Sequence, residues 1–242
     1  MYRALLLSIS FCLSAQLAHA ESCDAQASTL HAEYTIHTHS AKGDNTKLLN
    51  LWRQQNMVAH EYPQTRITET WEHIHNRLIK PTRYFDEHQR AIEYQPGESV
   101  HGKTETSWTY RNQLFSDELL ASMTPGNIQG DDCLQTQTYT LNKNGAEWTL
   151  IWLPELSIAK SFSVVSGSQT IEWSLTTLQF DPAPVDAFFA HRMAYQTTDF
   201  ADIGDDHTDP FLTKMVHQGF IEKGASGYYN AKGEAIGEGH HH

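Results

Sequence analysis

Apolar and polar residues alternate along most of this chain, which is the pattern expected of half-buried β-strands. The first such run, 33–39, predicts a strand that ends at the turn-like residues 42–45. The next run, 47–60, predicts two strands joined around residues 54–56 and closed by Pro63. The chain is therefore predicted to begin as consecutive antiparallel strands.

Three hairpins are predicted further along, each from two alternating runs separated by a short polar turn. The strongest turn signal is Asn144-Gly145, because these residues readily adopt the positive φ values that a two-residue hairpin turn requires. The paired runs are 82–86 with 90–94, 136–141 with 148–153, and 160–165 with 170–178.

Helical patterns occur at three places. Residues 68–78 place apolar side chains at helical intervals and predict a helix that ends before Pro81. Residues 116–123 begin with a serine cap and two acidic residues, and Pro125-Gly126 follows them. Residues 208–219 form the third predicted helix, with a proline near its start and a glycine at its end.

Together these elements predict a mainly β, α+β fold with about ten short antiparallel strands and two or three helices. One curved, tryptophan-rich sheet with helices on one side fits their order. The sequence shows no internal repeat and no low-complexity tract.

The first twenty residues have the features of a secretory signal peptide. Arg3 supplies a basic start, residues 4–13 form an apolar run, and Ala18-His19-Ala20 provides a cleavage site of the small-x-small type. The apolar run is too short to span a bilayer, and no later stretch approaches about 20 consecutive apolar residues. We therefore expect cleavage after Ala20, export to the periplasm, and no transmembrane segment in the remaining chain.

The charge of the chain excludes one class of partner. It carries 17 Lys and Arg residues against 29 Asp and Glu residues, a net charge of −12. Such an acidic protein lacks the positive surface that binding to nucleic acid or to an anionic membrane requires. Six Trp, ten Tyr and ten Phe residues are enough for a sizeable core.

Two cysteines, Cys23 and Cys133, remain once the predicted leader is removed. An even pair in an exported chain predicts a disulfide. It would close a loop of 110 residues, and a redox role is not expected because the close Cys-x-x-Cys spacing is missing.

Several segments follow a recognisable order. The leader runs into a strand, aromatic-rich strands and a helical middle follow, and two tryptophan-containing strands precede a proline step into a phenylalanine-containing stretch. The segments are 33–39, 83–86, 91–94, 148–152, 171–175 and 180–189. In this order the chain, over roughly residues 30–190, resembles the LolA/LolB-like superfamily of periplasmic lipoprotein and lipid carriers.

The resemblance implies an unclosed antiparallel half-barrel whose apolar concave face is covered by helices. It also implies a non-catalytic carrier of an acyl chain or another hydrophobic ligand such as a lipid, with a membrane-bound donor or acceptor protein as a further partner. We therefore divide the chain into a signal peptide (1–20), a LolA-like domain (21–198) and an acidic extension (199–242) that has no counterpart in the family. No cofactor is expected.

The tryptophans are the candidate ligand-binding residues. On the strand 148–153, two tryptophans four residues apart share one face, and a second apolar row is predicted on the next hairpin. Such residues either fill a core or line the open inner face of a half-barrel, and the sequence leaves both alternatives open. The candidates are Trp52, Trp71, Trp108, Trp148, Leu150, Trp152, Ile171, Trp173 and Leu175.

Histidines offer the main alternative function. His37 and His39 share one face of a predicted strand and could bind Zn or Cu, although solvated surface histidines are the competing interpretation. His73 and His75 could share a metal only on a strand, because on a helix their rings would diverge by about 200°. The terminal residues His240–His242 carry no functional weight.

The acidic residues between Asp199 and Asp209 are interpreted as a solvated, helix-capping loop, because the alternating ligand pattern of a calcium-binding loop is missing. Gly-x-Ser-x-Gly and His-Glu-x-x-His are both absent from the sequence. A non-catalytic binding protein is therefore favoured over an unrecognised periplasmic enzyme.

Overall fold

The computed structural model describes residues 23–100, 103–203 and 208–217. The predicted leader and His240–His242 lie outside the described residues. The described strands are β1 (Thr29–Ser40), β2 (Gly43–Gln54), β3 (Met57–Tyr62), β4 (Ile67–Ile74), β5 (Leu78–Phe85), β6 (Arg90–Glu93), β7 (Ser99–Val100), β8 (Lys103–Thr104), β9 (Thr124–Gln129), β10 (Thr136–Lys143), β11 (Ala146–Leu153), β12 (Ile158–Ser166), β13 (Gln169–Gln179) and β14 (Gln196–Asp199). The helices are α1 (23–28), α2 (Trp108–Gln113), α3 (Asp117–Ser122), α4 (Pro182–Met193) and α5 (Pro210–His217), with a 3-10 turn at Phe200–Asp202.

Twelve strands form one sheet in the order β14-β6-β5-β4-β3-β2-β1-β13-β12-β11-β10-β9, and β7 and β8 form a separate two-stranded ribbon. Neighbouring strands of the large sheet are antiparallel except β14 and β6, which pair in parallel. The sheet is curved and does not close into a barrel. β1 lies at its centre, because it pairs with β2 on one side and with β13 on the other. The predicted α+β class with an open antiparallel sheet is confirmed.

The three predicted hairpins and the first strand pair are confirmed, including the turn at Asn144-Gly145 between β10 and β11. The helix predicted over 68–78 is wrong, because most of this segment belongs to the strand β4, which is followed by a turn and the start of β5. All five residues from Ile67 to Trp71 are buried, on both faces of the sheet. A strand that is buried on both faces loses its alternation and can imitate helical spacing.

Two further helical details differ from the expectation. The helix predicted over 116–123 is confirmed as α3 with Ser116 as its cap, but α2 precedes it unpredicted and ends at Leu114, which has a left-handed φ of 66°. The helix α4 was missed, although Asp181 caps it by accepting a hydrogen bond from the Ala183 amide and Pro182 occupies its first turn.

Helices pack on both faces of the sheet. Leu51 and Val58 belong to the same cluster as Leu114 and Phe115 of the α2–α3 segment. Trp52 and Ala59 follow Leu51 and Val58 in sequence and therefore point to the opposite face of the sheet. There they pack against Phe188 and Phe189 of α4. We call the face under α2 and α3 the inner face and the face under α4 the outer face. The expectation that helices lie on one side only is wrong.

The end of the chain returns to the sheet. β14 pairs with β6, and Ile203 and Leu212 are buried against Phe85 and Ile92. The described part of the predicted acidic extension therefore contacts the N-terminal strands, and the proposed boundary between residues 198 and 199 stays a prediction.

Candidate functional site

The inner face contains a cluster of aromatic side chains centred on Phe115, which follows α2. Its ring centroid lies 5.0 Å from Phe162, 6.0 Å from Trp173 and 6.1 Å from Trp152, each in an edge-to-face arrangement. Tyr34 joins the cluster at 6.1 Å from Trp173 and donates its hydroxyl hydrogen to the Ala159 carbonyl at 2.9 Å. We call these five residues the aromatic cluster.

The β-strand register extends this apolar surface in two rows across the sheet. The first row lies within the core and the second lies next to the β10–β11 and β12–β13 turns, where several side chains are only half-buried. The first row is Tyr139, Leu150, Phe162, Trp173 and Ile36, and the second is Leu141, Trp148, Val164 and Ile171. Leu150 is fully buried, whereas Trp148, Ile171 and Leu175 remain half-buried.

The other tryptophans occupy separate environments. Trp71 is buried beneath the guanidinium of Arg111, which lies 4.2 Å from the ring centroid. Trp108 of α2 stacks on His73 at 4.6 Å. Trp52 lies on the outer face between His31 and Phe188, with ring centroids 3.6 Å and 4.1 Å away. The structure therefore brings Trp148, Trp152 and Trp173 together, and it does not bring Trp52 to them. A ligand-binding role for the nine candidates stays a prediction.

The cover of the aromatic cluster is a short segment, α2 and α3 with the turn between them. Leu114, Phe115, Leu119 and Met123 are buried against the inner face. The Ser116 side chain accepts a hydrogen bond from the Leu119 amide at 3.1 Å and begins α3. Each of the two helices has six residues, so their stability comes from this packing and not from the helices themselves.

Arg53 of β2 holds the cover at one end of the sheet. Its side chain is 2% exposed and donates all five N–H groups to main-chain carbonyls. Two bonds go to Asn112 of α2, at 2.8 Å from Nε and 2.5 Å from Nη2. The others go to Ala27 at 3.1 Å, Leu156 at 2.6 Å and Ser157 at 2.7 Å. Burial lowers the pKa of Arg53 to about 10.

His60 of β3 holds the same helix. Its Nε2 lies 2.7 Å from the Arg111 carbonyl, and since a carbonyl only accepts, Nε2 carries the hydrogen. Burial, followed by the positive charge of Arg111, lowers the pKa of His60 to about 3, so the ring is neutral near pH 7. Arg111 in turn pairs with Glu105 at 2.6 Å.

The outer face holds α4 through charged groups. Arg192 pairs with Glu61 at 2.8 Å and with Asp86 at 3.1 Å, and its Nε donates to the Thr68 hydroxyl at 3.0 Å. On the inner face, Arg83 and Glu69 form a buried pair at 2.6 Å. These carboxylates bind arginines that join structural elements, and this arrangement does not resemble an acid–base pair facing a substrate.

At least two concavities lie among the described residues. One, of about 250 Å³, lies against Arg53 and is lined by Asp24, Ser28, Gln55, Trp108 and Asn112, with Ala27 and Ser157. The other, of about 170 Å³, lies on the outer face and is lined by Met57, Thr70, Glu72, Lys80, Thr82, Tyr84, Glu93, Met193 and Thr197. Neither is lined by the aromatic cluster, which is packed.

The metal candidates His37 and His39 are both exposed on β1. His37 contacts the Thr46 hydroxyl at 2.9 Å, and His39 contacts the Asp44 carboxylate. Within the described ranges, no group of three His, Cys, Asp or Glu side chains is placed to hold a metal ion. His73 and His75 do not share one strand, since β4 ends at Ile74.

The predicted disulfide between Cys23 and Cys133 is confirmed, with a Cα–Cα distance of 5.4 Å. It attaches α1 to the segment between β9 and β10, and both cysteines are buried in the inner-face core.

Arg53, His60 and Arg111 were not predicted from the sequence. The alternation of the two strands gave one signal. In β2 and β3, the positions that point toward the core are otherwise apolar, as at Leu49, Leu51 and Val58. Arg53 and His60 occupy the same inward-pointing positions. A charged residue in such a row indicates a buried polar contact, but not its partner.

No family model matches the sequence, and no curated protein matches it. Solved structures similar in fold include a putative outer membrane lipoprotein-sorting protein domain from Vibrio parahaemolyticus (TM-score 0.32, 9% identity, 72% of this chain and 96% of that chain). A LolA superfamily protein from Nitrosomonas europaea matches with a TM-score of 0.28 and 7% identity, over 67% and 92% of the two chains. PNGF-II matches with a TM-score of 0.34 and 7% identity, and the match covers 71% of this chain but only 31% of that chain.

Because these TM-scores are all below 0.5, we base no argument on the matches and transfer no ligand or residue role from them. Among the described residues, no helix is long and apolar enough to cross a membrane.

Proposed function

We propose that this protein is a non-catalytic periplasmic carrier or binding module for a hydrophobic ligand such as an acyl chain. The observation that carries the proposal is the inner face of β10–β13, where two apolar rows run from the core to half-buried side chains near the turns. An apolar surface that is covered by a short segment, and not closed by further strands, is suited to exchange its cover for a ligand. The leader pattern and the disulfide support export.

In this proposal the ligand replaces part of the α2–α3 cover. Phe115, which belongs to the aromatic cluster, and Leu119 are buried side chains of this cover, and burial of one such side chain contributes about 1.5–3 kcal/mol. An acyl chain that occupies the same surface regains a comparable amount, because each buried CH₂ contributes about 0.8 kcal/mol. Replacing this part of the cover by an acyl chain therefore causes little net loss of buried apolar surface.

The test is native mass spectrometry of the protein purified from the cells that make it, followed by extraction into organic solvent. A co-purifying lipid, and a change in tryptophan fluorescence when it is added back to extracted protein, are the expected results. The signal should come from the aromatic cluster, so Trp152→Phe should reduce it more than Trp52→Phe, which changes a tryptophan on the outer face.

Protein that carries no lipid and shows no fluorescence response to any acyl compound would contradict the proposal. In that case the packed inner face is simply a core, and an interaction module or an enzyme becomes the better interpretation.

A further inference from the structure

The concavity of about 170 Å³ on the outer face owes its shape to the strand register. Thr70 and Thr82 lie opposite each other on β4 and β5, and both line it. Glu93 lies opposite Thr82 on β6, and Met193 at the end of α4 bounds the concavity from the helix side. Short threonine side chains between longer ones thus leave a depression in the surface of the sheet.

The charges in this depression are unequal. Lys80 forms an ion pair with Glu93, and it also lies opposite Glu72 on the neighbouring strand. Glu72 itself forms no ion pair within the part of the chain that the structure describes. Two carboxylates therefore share one ammonium group, and the lining carries one negative charge more than it has positive charges.

The nearest basic group outside the depression does not correct this excess. Arg192 of α4 is already shared between Glu61 at 2.8 Å and Asp86 at 3.1 Å. The chain as a whole has a net charge of −12. A cation that approaches this part of the outer face is therefore attracted at long and at short range.

The attachment of α4 shows how the outer face binds a cation within the chain. The guanidinium of Arg192 lies between two carboxylates and 3.8 Å from the ring centroid of Phe188. The depression offers the same kinds of group to a cation from outside the chain. It has two carboxylates and the aromatic side chain of Tyr84, and the thioethers of Met57 and Met193 can contact an aliphatic stem.

The surroundings of the depression resemble a protein-binding surface. Met193 is 57% exposed, and Leu78, which shares a face of β5 with Lys80, is 47% exposed. Exposed apolar side chains beside a polar pocket that contains a tyrosine are a combination common in protein interfaces.

We propose that the depression receives the side chain of a lysine or arginine from a partner protein. The ammonium or guanidinium group lies between Glu72 and Glu93, the stem contacts Met57 and Met193, and the partner's main chain stays outside. This inference goes beyond the proposed carrier function and does not depend on it, because the depression is on the face of the sheet opposite to the aromatic cluster.

The first experiment titrates butylguanidinium, butylammonium and butanol into the isotopically labelled protein at low salt, followed by two-dimensional amide NMR. We expect both cations to shift the amide signals of Thr70, Thr82 and Thr197, with a Kd of roughly 1–10 mM for ligands of this size. Butanol should cause no comparable shift. Equal shifts by butanol, or none by the cations, would overturn the inference and leave the carrier proposal untouched.

A second titration distinguishes a protein side chain from a free amine. The capped tripeptide acetyl-Gly-Lys-Gly-amide should bind at least as tightly as butylammonium, because the open mouth leaves room for the main chain. The same peptide with norleucine in place of lysine has the stem without the charge and should not bind. Binding of pentane-1,5-diamine without binding of the lysine peptide would assign the site to small amines and overturn the protein partner.

Two variants test the position of the cation. Glu72→Gln should weaken butylguanidinium binding by about ten-fold, the scale of one hydrogen bond to a charged group. Glu172→Gln is the matched control, because Glu172 is an exposed strand glutamate outside the depression, and it should change nothing. Thr197→Lys places an ammonium of the chain itself at the exposed rim and should abolish binding. Binding that is unaffected by either Glu72→Gln or Thr197→Lys, in protein of unchanged stability to urea, would contradict the placement.

Discussion

Truncation of Phe115 tests whether the cover is part of the core. The side chain is 4% exposed and contacts three aromatic rings at 5.0–6.1 Å. Phe→Ala changes at buried positions cost about 3–5 kcal/mol through lost transfer energy and the cavity left behind. Edge-to-face pairs with three rings place this site toward the upper part of that range, whereas relaxation of the short helix α3 reduces the loss. We therefore expect Phe115→Ala to lower the free energy of unfolding by about 3–4 kcal/mol.

The assay is urea denaturation followed by tryptophan fluorescence, with the free energy obtained by linear extrapolation. Leu134→Ala is the control, because Leu134 is 50% exposed and its truncation should cost less than about 0.5 kcal/mol. A loss below about 1 kcal/mol for Phe115→Ala would refute the reasoning, since it would mean that the aromatic cluster does not depend on its central ring.

Phe115→Ala has a second consequence under the proposed function. The variant leaves a space between Trp152, Phe162 and Trp173, so an acyl chain has less of the cover to displace. We expect its affinity for hexadecanol to rise above that of the unaltered protein. Unchanged or weaker binding would place the ligand elsewhere.

Three further predictions concern stability. Replacing both Cys23 and Cys133 by serine should lower the free energy of unfolding by roughly 4–5 kcal/mol, the value expected for a loop of 110 residues, as measured by urea denaturation; thiol titration of the unreduced protein should find neither thiol free. Folding lowers the pKa of His60 from 6.5 to about 3, so between these pH values the unfolded chain binds one more proton than the folded protein. The free energy of unfolding should therefore fall as the pH decreases from 6.5 to 3, by up to about 1.4 kcal/mol per pH unit. His60→Gln should reduce this pH dependence. Glu69→Gln should cost about 3–5 kcal/mol in the same denaturation assay, because it leaves the charge of Arg83 buried without its carboxylate, and a loss below 1 kcal/mol would contradict this pairing.

Local signals explain which parts of the fold were predictable. The turn at Asn144-Gly145 fixes a hairpin through its own backbone preferences, so β10 and β11 follow from a few neighbouring residues. The strand β4 required knowledge of its neighbours, because burial on both faces removes the alternation that identifies a strand. The exposed strand β9, which carries Pro125, gives no apolar pattern at all.

The candidate site was predictable only in part. The alternation in β11 and β13 correctly grouped Trp148, Trp152 and Trp173, since residues two apart on a strand share a face. It could not show that Trp52 faces α4, because the inward face of β2 is occupied by Leu51 and Arg53. The partners of Arg53 are main-chain carbonyls. Every residue has such a carbonyl, so these partners could not be predicted from residue types.

The central position of β1 has a consequence for the order in which this chain can fold. β1 is completed early in synthesis, and it can pair at once with β2, the next strand in sequence. Its other partner, β13, ends at Gln179, so the pairing of His31 with Gln179 must wait for almost 150 further residues. Pairing over such a distance is slow, because closing a long loop costs entropy before the contact is gained. Until β13 arrives, one edge of β1 stays open to other strands, and this edge is the place where a misfolded or aggregated form would begin.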